Sequence, residues 1–396
     1  MKILFHQKNI ALCTLLGLIS LSSCKKEENQ DIKPDSSEIL NLPELPFDYS
    51  TLNLPSHFTT NLPDRPIPTS INGADNTPVD NPVTDEGATL GRVLFYDKNL
   101  SANGTIACAS CHKQEKGFSD DAVFSLGFEG ELTPRHSMTL INARYYERGR
   151  FFWDERASTL EEQVLMPFQD PIEMGLTLEE LVEKVKGQSY YFELFEHAFG
   201  NDSINPDRIA KALAQFVRSI VSYSSKYDEG RSQVNSLTEN FPNFTSAENL
   251  GKNIFFSTSP SRGAACFVCH TSEAFINISV GPQNNGLDAQ TTDAGAGNVF
   301  DSPLFEGRFK TSTLRNIELT APYMHDGRFD NLEQVIEHYN SGVQPHPNLS
   351  ASLAGANGQP ERLNLDEAER AALVAFLKTL TDETIATEEK WSNPFE

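Results

Sequence analysis

Positive charge is in short supply in this chain. It carries 32 Lys and Arg against 55 Asp and Glu, a formal net charge of −23 over 396 residues. Such a surface repels nucleic acid, which sets DNA and RNA aside as partners. It favours solubility and suits a basic electron-donor protein. Alternation is also lacking: no stretch runs apolar–polar long enough to predict a sheet. Long apolar runs are missing too. The run from Ile10 to Leu21 is too short for a comfortable transmembrane helix. Nor is there a spare cysteine pair for a disulfide. Of six cysteines, Cys13 lies in that apolar run, Cys24 follows it, and the other four belong to two copies of one motif.

Those copies are Cys108-Ala109-Ser110-Cys111-His112 and Cys266-Phe267-Val268-Cys269-His270. One CxxC alone fits a redox dithiol or half a zinc site. Two pairs, each closed by His, read as covalent haem-attachment boxes. Two thiols add across the vinyl groups of a haem, and the adjacent imidazole ligates the iron. Cys108, Cys111, Cys266 and Cys269 are then the attachment residues of two haem c groups, and His112 and His270 the iron ligands. A four-cysteine zinc site is the alternative, and it leaves both abutting histidines unexplained.

Residues 1–23 read as an export signal, with Lys2 and Lys8 as the basic head and small residues before Cys24. Leu21-Ser22-Ser23-Cys24 resembles a bacterial lipoprotein box, which would make Cys24 the lipidated first residue. An ordinary signal peptide cut nearby is the alternative. Either places the protein on the periplasmic side; with the lipoprotein box it touches the membrane only through the lipid on Cys24. Residues 24–84 are punctuated by proline and predict an extended tether, with Leu42, Phe47, Leu52 and Phe58 available for packing. Helices are expected over 89–96, 157–165, 178–185, 207–223, 246–256 and 331–339. A last helix is expected from a cap at Asn364, with Glu367 three residues on, to about Leu380. Residues 224–243 read as a polar connector and 281–297 as a surface loop. The fold class is therefore mostly α: two tandem cytochrome-c-like domains with long loops, 85–225 and 226–396, one covalent haem each.

Between the boxes stand Phe152-Trp153-Asp154-Glu155-Arg156, Glu162-Gln163, Pro167 and Ile172-Glu173-Met174-Gly175. After the second come Thr313-Leu314-Arg315-Asn316 and Thr320-Ala321-Pro322-Tyr323-Met324-His325-Asp326-Gly327. Over about residues 85–380 this set resembles the bacterial di-haem cytochrome c peroxidase family, MauG branch included. The resemblance implies hydrogen peroxide as substrate and a small cytochrome or copper protein as electron donor. It implies Glu173 as proton shuttle, Gln163 as hydrogen-bond donor in the pocket, Pro167 as a shape element and Trp153 as the residue between the haems. Read without the resemblance, these are a loop Glu, a helix Gln, a helix stop and a core Trp. His270 would serve the second, electron-handling haem, whose other face takes Met in the peroxidases and Tyr in the MauG branch. Tyr339 matches that position; Met324 and His338 are rivals, and Tyr339 also lies on an apolar helical face with Leu332, Val335 and Ile336.

No His lies between His112 and His136, and His136 falls where the family has a calcium-binding Asn. The first haem is therefore expected to be open at rest. The calcium site is weakened, with carbonyls near Thr320 and Pro322 left as oxygen donors. The alternatives in function are a MauG-like oxidase acting on a protein substrate and a di-haem electron carrier without chemistry of its own. Members of the family are often homodimers.

Overall fold

Each box follows a helix that carries a glycine where a later helix crosses it. Asp85–Tyr96 is capped by Thr84, whose hydroxyl accepts the Gly87 N–H, and Asp85 and Glu86 sit at the positive end of its dipole. It crosses Pro206–Ser219, capped by Asn205 with proline in the first turn. A Cβ on Gly91 would lie 2.0 Å from the Ala212 carbonyl oxygen. The second copy is Ser246–Phe256 against Glu367–Lys378. There a Cβ on Gly251 would lie 1.9 Å from the Ala372 carbonyl oxygen. In both crossings the backbones touch, and no larger residue fits without moving a helix.

The computed structural model describes residues 40–61, 69–258, 263–277 and 281–395. The expected export signal, with Cys13 and Cys24, lies outside them. Among the described residues the fold is helical with isolated bridges and no strand, and no helix is long and apolar enough to cross a membrane. The buried apolar side chains form two clusters. One takes in residues from Leu40 to Val221 together with Ala274, Ile276, Ile385 and Trp391. The other runs from Tyr227 to Leu380. The described residues nevertheless form one compact unit.

From Leu40 the expected tether is a strap. Leu40, Tyr49 and Phe58 are buried. Asp85 accepts the N–H groups of Tyr49 and Ser50 at 2.9 and 2.8 Å. His57 Nε2 lies 3.0 Å from Asp228 Oδ1, and the Arg315 guanidinium stacks over Phe58. The C-terminal tail returns to the first cluster: Arg92 Nε donates to the Ser392 carbonyl and Tyr96 Oη to that of Trp391, both at 2.7 Å.

Other boundaries move for local reasons. The last helix is capped by Asp366, not Asn364. Asn364 is left-handed at φ 53°, and Asp366 and Glu369 exchange both bonds of a capping box. The 207–223 helix stops at Ser219, because Asp382 captures the N–H groups of Tyr223 and Ser224. The helix expected from residue 157 begins at Leu160, since Ala157 pairs back with Phe151. The polar connector holds a helix, Lys226–Arg231, with Tyr227, Asp228 and Arg231 buried. Tyr190–Phe199 is a helix without a sequence signal of its own; the hydroxyls of Tyr190 and Tyr191 both donate to the buried Asp97 at 2.8 Å. Residues 281–297 are a surface loop only in part: residues 289–292 are exposed, but Asn284 and Gly286 are buried, and Asn284 donates to the Gly307 carbonyl.

Candidate haem sites

A short helix, Cys108–Cys111, places both thiols of the first box on one turn. The chain then folds back, and His112 Nδ1 sits 3.0 Å from the Phe118 carbonyl oxygen. That bond puts the proton on Nδ1 and leaves the Nε2 lone pair for a metal. Phe118 itself is left-handed at φ 56°. The second box repeats the device. His270 Nδ1 lies 3.2 Å from the carbonyl of Phe275, also left-handed at φ 53°. Beyond each box a Thr-Leu-X-Asn turn completes the frame. Thr139 Oγ1 donates to Gly117 O and Thr313 Oγ1 to Ala274 O, both at 2.6 Å, and Asn142 and Asn316 are left-handed. The first of these turns, Thr139-Leu140-Ile141-Asn142, carries the same signal as the second and was readable beside it.

A cavity of about 780 Å³ opens beside the first box. Cys108, Cys111, His112, Trp153, Gln163, Pro167 and Glu173 all line it. The structure thus gathers at one place every residue expected there from sequence. Burial pushes the thiols up, Cys108 to about 12 and Cys111 to about 11, which is unlike the low-pKa thiolate of a redox dithiol. Among the described residues no group of three or more His, Cys, Asp and Glu side chains is placed to hold a metal ion, so the four-cysteine zinc arrangement is not assembled. Two thiols on one turn, an imidazole with its Nδ1 proton tied down and a partly apolar cavity fit a covalently attached haem.

Glu173 stands in a turn whose backbone is held on every side. Its carbonyl accepts the Phe128 N–H at 3.1 Å, Met174 N–H donates to Pro167 O, and Leu176 N–H to Phe168 O. Gly175 is left-handed at φ 69°, and a Cβ there would lie 2.5 Å from the Phe128 ring. Burial raises the Glu173 carboxyl, the Asp170 charge raises it further, and Arg156 opposes them; the result is about 7. Trp153 donates its indole N–H to the His136 carbonyl at 2.8 Å and meets the His325 ring edge-on at 6.5 Å. Its own carbonyl accepts the Lys310 N–H at 2.7 Å, so it bridges both halves of the chain. His136 is buried, with its ring nitrogens 3.1 Å from Ser119 Oγ and from Ala122 O.

At the second box Tyr339 lies in a single π turn, His338–Gly342, a distortion that often marks functional positions. Burial first, then the nearby Cys269 and Cys266, pushes its phenol up to about 12, against a hydrogen bond with Asn285. Asn285 Nδ2 reaches both Tyr339 Oη and Met324 Sδ at 3.5 Å. His338 points elsewhere, its Nε2 3.0 Å from the Asn285 carbonyl. Two of the three rival ligands therefore converge on one amide, and the third turns to the backbone.

A family model described as di-haem cytochrome c peroxidase matches residues 85–234. The methylamine utilization protein MauG of Methylophilus methylotrophus is 34% identical over 306 residues, covering 76% of this chain and 84% of that protein. Cytochrome c551 peroxidase of Nitrosomonas europaea is 33% identical over 303 residues, covering 76% and 81%. Among solved structures, a MauG-like protein associated with microbial copper homeostasis superposes with TM-score 0.70 at 32% identity, over 85% of this chain and 99% of that one. The chain belongs to the di-haem cytochrome c peroxidase family.

Proposed function

We propose that the chain reduces hydrogen peroxide to two waters in the His112 cavity, consuming two electrons and two protons. A small cytochrome or copper protein supplies the electrons through the second site. One observation carries the reading: a half-buried carboxyl, Glu173, raised to about 7 by burial and by Asp170, shares the cavity with His112 and Gln163. Such a group gives and takes protons at pH 7. Haem attached through Cys108 and Cys111 supplies the redox chemistry when bound. The protein residues do the rest. Glu173 removes the proton from one peroxide oxygen and returns it to the leaving oxygen. Gln163 donates a hydrogen bond to the retained oxygen. Pro167 narrows the space, and Trp153, fixed by His136 O and in contact with Lys310 and His325 of the second half, would pass the electrons. His136 is tied into its own contacts with Ser119 and Ala122, so it would not be free to ligate a haem iron held by His112.

Glu173→Gln tests the reading. Peroxide consumption should fall at least a hundredfold, with both haem spectra kept; unchanged turnover would sink the assignment. A second reading, peroxide-dependent oxidation of a protein, is favoured by Tyr339 beside Cys266 and Cys269. An anionic oxygen donor lowers the potential of an iron it ligates. Rapid reaction with peroxide but no turnover with any reduced small redox protein would select it. Export of the chain with a lipid on Cys24 is part of the same proposal, read by mass spectrometry of membrane-bound protein. So is a calcium ion on the carbonyls of Thr320 and Pro322, read by chelation.

A further inference from the structure

The turn that aims Glu173 is built by one neighbouring side chain. Asp170 Oδ1 accepts the N–H of Ile172 at 2.8 Å and that of Glu173 at 3.3 Å. Its main chain closes both ends: its N–H donates to Met166 O at 3.0 Å, and its carbonyl accepts the Gly175 N–H at 2.9 Å. Asp170 also lines the cavity, so two carboxyl groups three residues apart share one space.

Of the other charged groups around Glu173, Arg156 opposes this in part. Arg156 is already bonded to Asp154 at 3.1 Å. Asp293 lines the cavity from the second half of the chain and is bonded by Arg135 at 2.7 Å. Cys108 and Cys111 face Glu173 from the box helix, and neither thiol retains a proton to lose once joined to haem. The short hairpin of residues 126–132, paired at Leu126 and Leu132, meets the turn with backbone: Phe128 N–H on Glu173 O, and Gly127 where a Cβ would lie 1.7 Å from Ile172 O.

We propose that Asp170 is the positioning residue of this site: its Oδ1 sets the backbone that directs Glu173 into the cavity, and its negative charge favours the protonated Glu173 carboxyl. This rests on the role given to Glu173 above. The direction agrees with the second cause of the Glu173 shift, after burial. Like charges sharing a site hold a proton more tightly. Asp170 would thus keep Glu173 partly protonated at neutral pH, able to act as acid after acting as base.

Two variants separate the backbone part from the charge part. Asp170→Asn keeps an Oδ1 acceptor and removes the charge; Asp170→Ala removes both. The direct readout is an infrared pH titration of the haem-loaded protein, following the carboxylic C=O band that Glu173→Gln lacks. In Asp170→Asn its midpoint should fall by roughly one pH unit. The deprotonated carboxyl starts the reaction, so the reaction with peroxide at pH 6 should then rise roughly fivefold over wild type, a gain that a purely structural residue does not produce. Asp170→Ala should lose at least tenfold across the pH range. An unmoved midpoint in Asp170→Asn overturns the charge role, and a wild-type rate in Asp170→Ala overturns the backbone role. If Asp170→Ala does not fold, Asp170→Asn alone decides. If Glu173→Gln reacts with peroxide like wild type, the reading of Glu173 fails instead, whatever the midpoint does.

Discussion

The two Thr-Leu-X-Asn turns differ at one buried position: X is Ile141 in the first and Arg315 in the second, both fully buried. Everything around them is matched. Each threonine hydroxyl reaches the carbonyl before the left-handed phenylalanine, each following asparagine is left-handed, and each box histidine is tied to that phenylalanine. Ile141 closes an apolar cluster. Arg315 donates to both Asp228 oxygens and to the Glu273 carbonyl, while Glu273 accepts from Tyr227 and Arg231. One frame is thus finished by hydrocarbon and the other by a buried ionic network. The network also takes hold of the strap through His57 and Phe58, so the second frame is tied to the N-terminal segment by charge, where the first meets it through apolar packing and the bonds of Asn76.

The largest expected effect is at that position. Arg315→Ile converts the second turn to the pattern of the first but strands Asp228 without its cation, at a cost of about 3–5 kcal/mol. Arg218→Met is the control in the first half. Its partner Glu161 keeps 19% of its side-chain surface, against 4% for Asp228, so water compensates part of the loss. Denaturant unfolding should rank Arg315→Ile as the more damaging; the reverse order would break the contrast. Adding Asp228→Asn to Arg315→Ile should recover part of the loss.

Acid sharpens the same contrast. Burial raises the Asp228 carboxyl, but the Arg315 charge and hydrogen bonds from His57, Arg315 and Ser225 outweigh it and hold it far below the carboxylate range. A depressed folded-state pKa contributes stability that is complete above the unfolded value near 4 and is lost as pH falls below it. Unfolding free energy should therefore drop between about pH 4 and pH 2. Asp228→Asn should flatten that slope even though it lowers stability at neutral pH. An unchanged slope would place the acid sensitivity elsewhere.

What could be read in advance follows the range of the interactions. The boxes are built within a few residues, and their residue types announce them; Glu173 stands out only through its motif, and the cap of the 367–378 helix falls at Asp366 rather than at Asn364. The strap was hidden because proline-rich composition says only that a segment is extended; that His57 meets Asp228, 171 residues on, depends on the finished fold. Tyr190–Phe199 was hidden for the same reason, since its aromatic run becomes a buried face only once Asp97 receives two hydroxyls. Asn285 escaped notice because a loop rich in Gly, Asn and Asp reads as solvated, whereas its amide is turned inward on Met324 and Tyr339.

Next in size is a change confined to the first site. Gly175→Ala places a Cβ on a left-handed residue and against the Phe128 ring, a local strain of about 1–3 kcal/mol. The turn yields before the fold does, because its neighbours on the hairpin are exposed: Leu126 is 59% and Leu132 56% accessible. Peroxide turnover should fall at least tenfold while the spectrum of the second haem stays as in wild type. Equal disturbance of both haems would mean that the two sites are not independently framed.

The smallest effect decides which atom completes the second site. Tyr339 and Met324 share the Asn285 amide at equal distance, so geometry alone does not rank them. Electrostatics does. The phenol lies beside Cys266 and Cys269, which would hold a haem as uncharged thioethers, and the positive iron of that haem, ligated by His270, would draw its proton off. A neutral thioether has no proton to lose and gains nothing from that field. Tyr339→Phe should therefore change the visible and near-infrared spectrum of the second haem and raise its potential, and Met324→Leu should change neither. Asn285→Leu removes the hydrogen bond that withdraws charge from the phenolate, so it should shift the potential downward by less than Tyr339→Phe shifts it upward. A spectrum that follows Met324→Leu would assign the sulfur as the ligand and align the second site with the peroxidases that use Met.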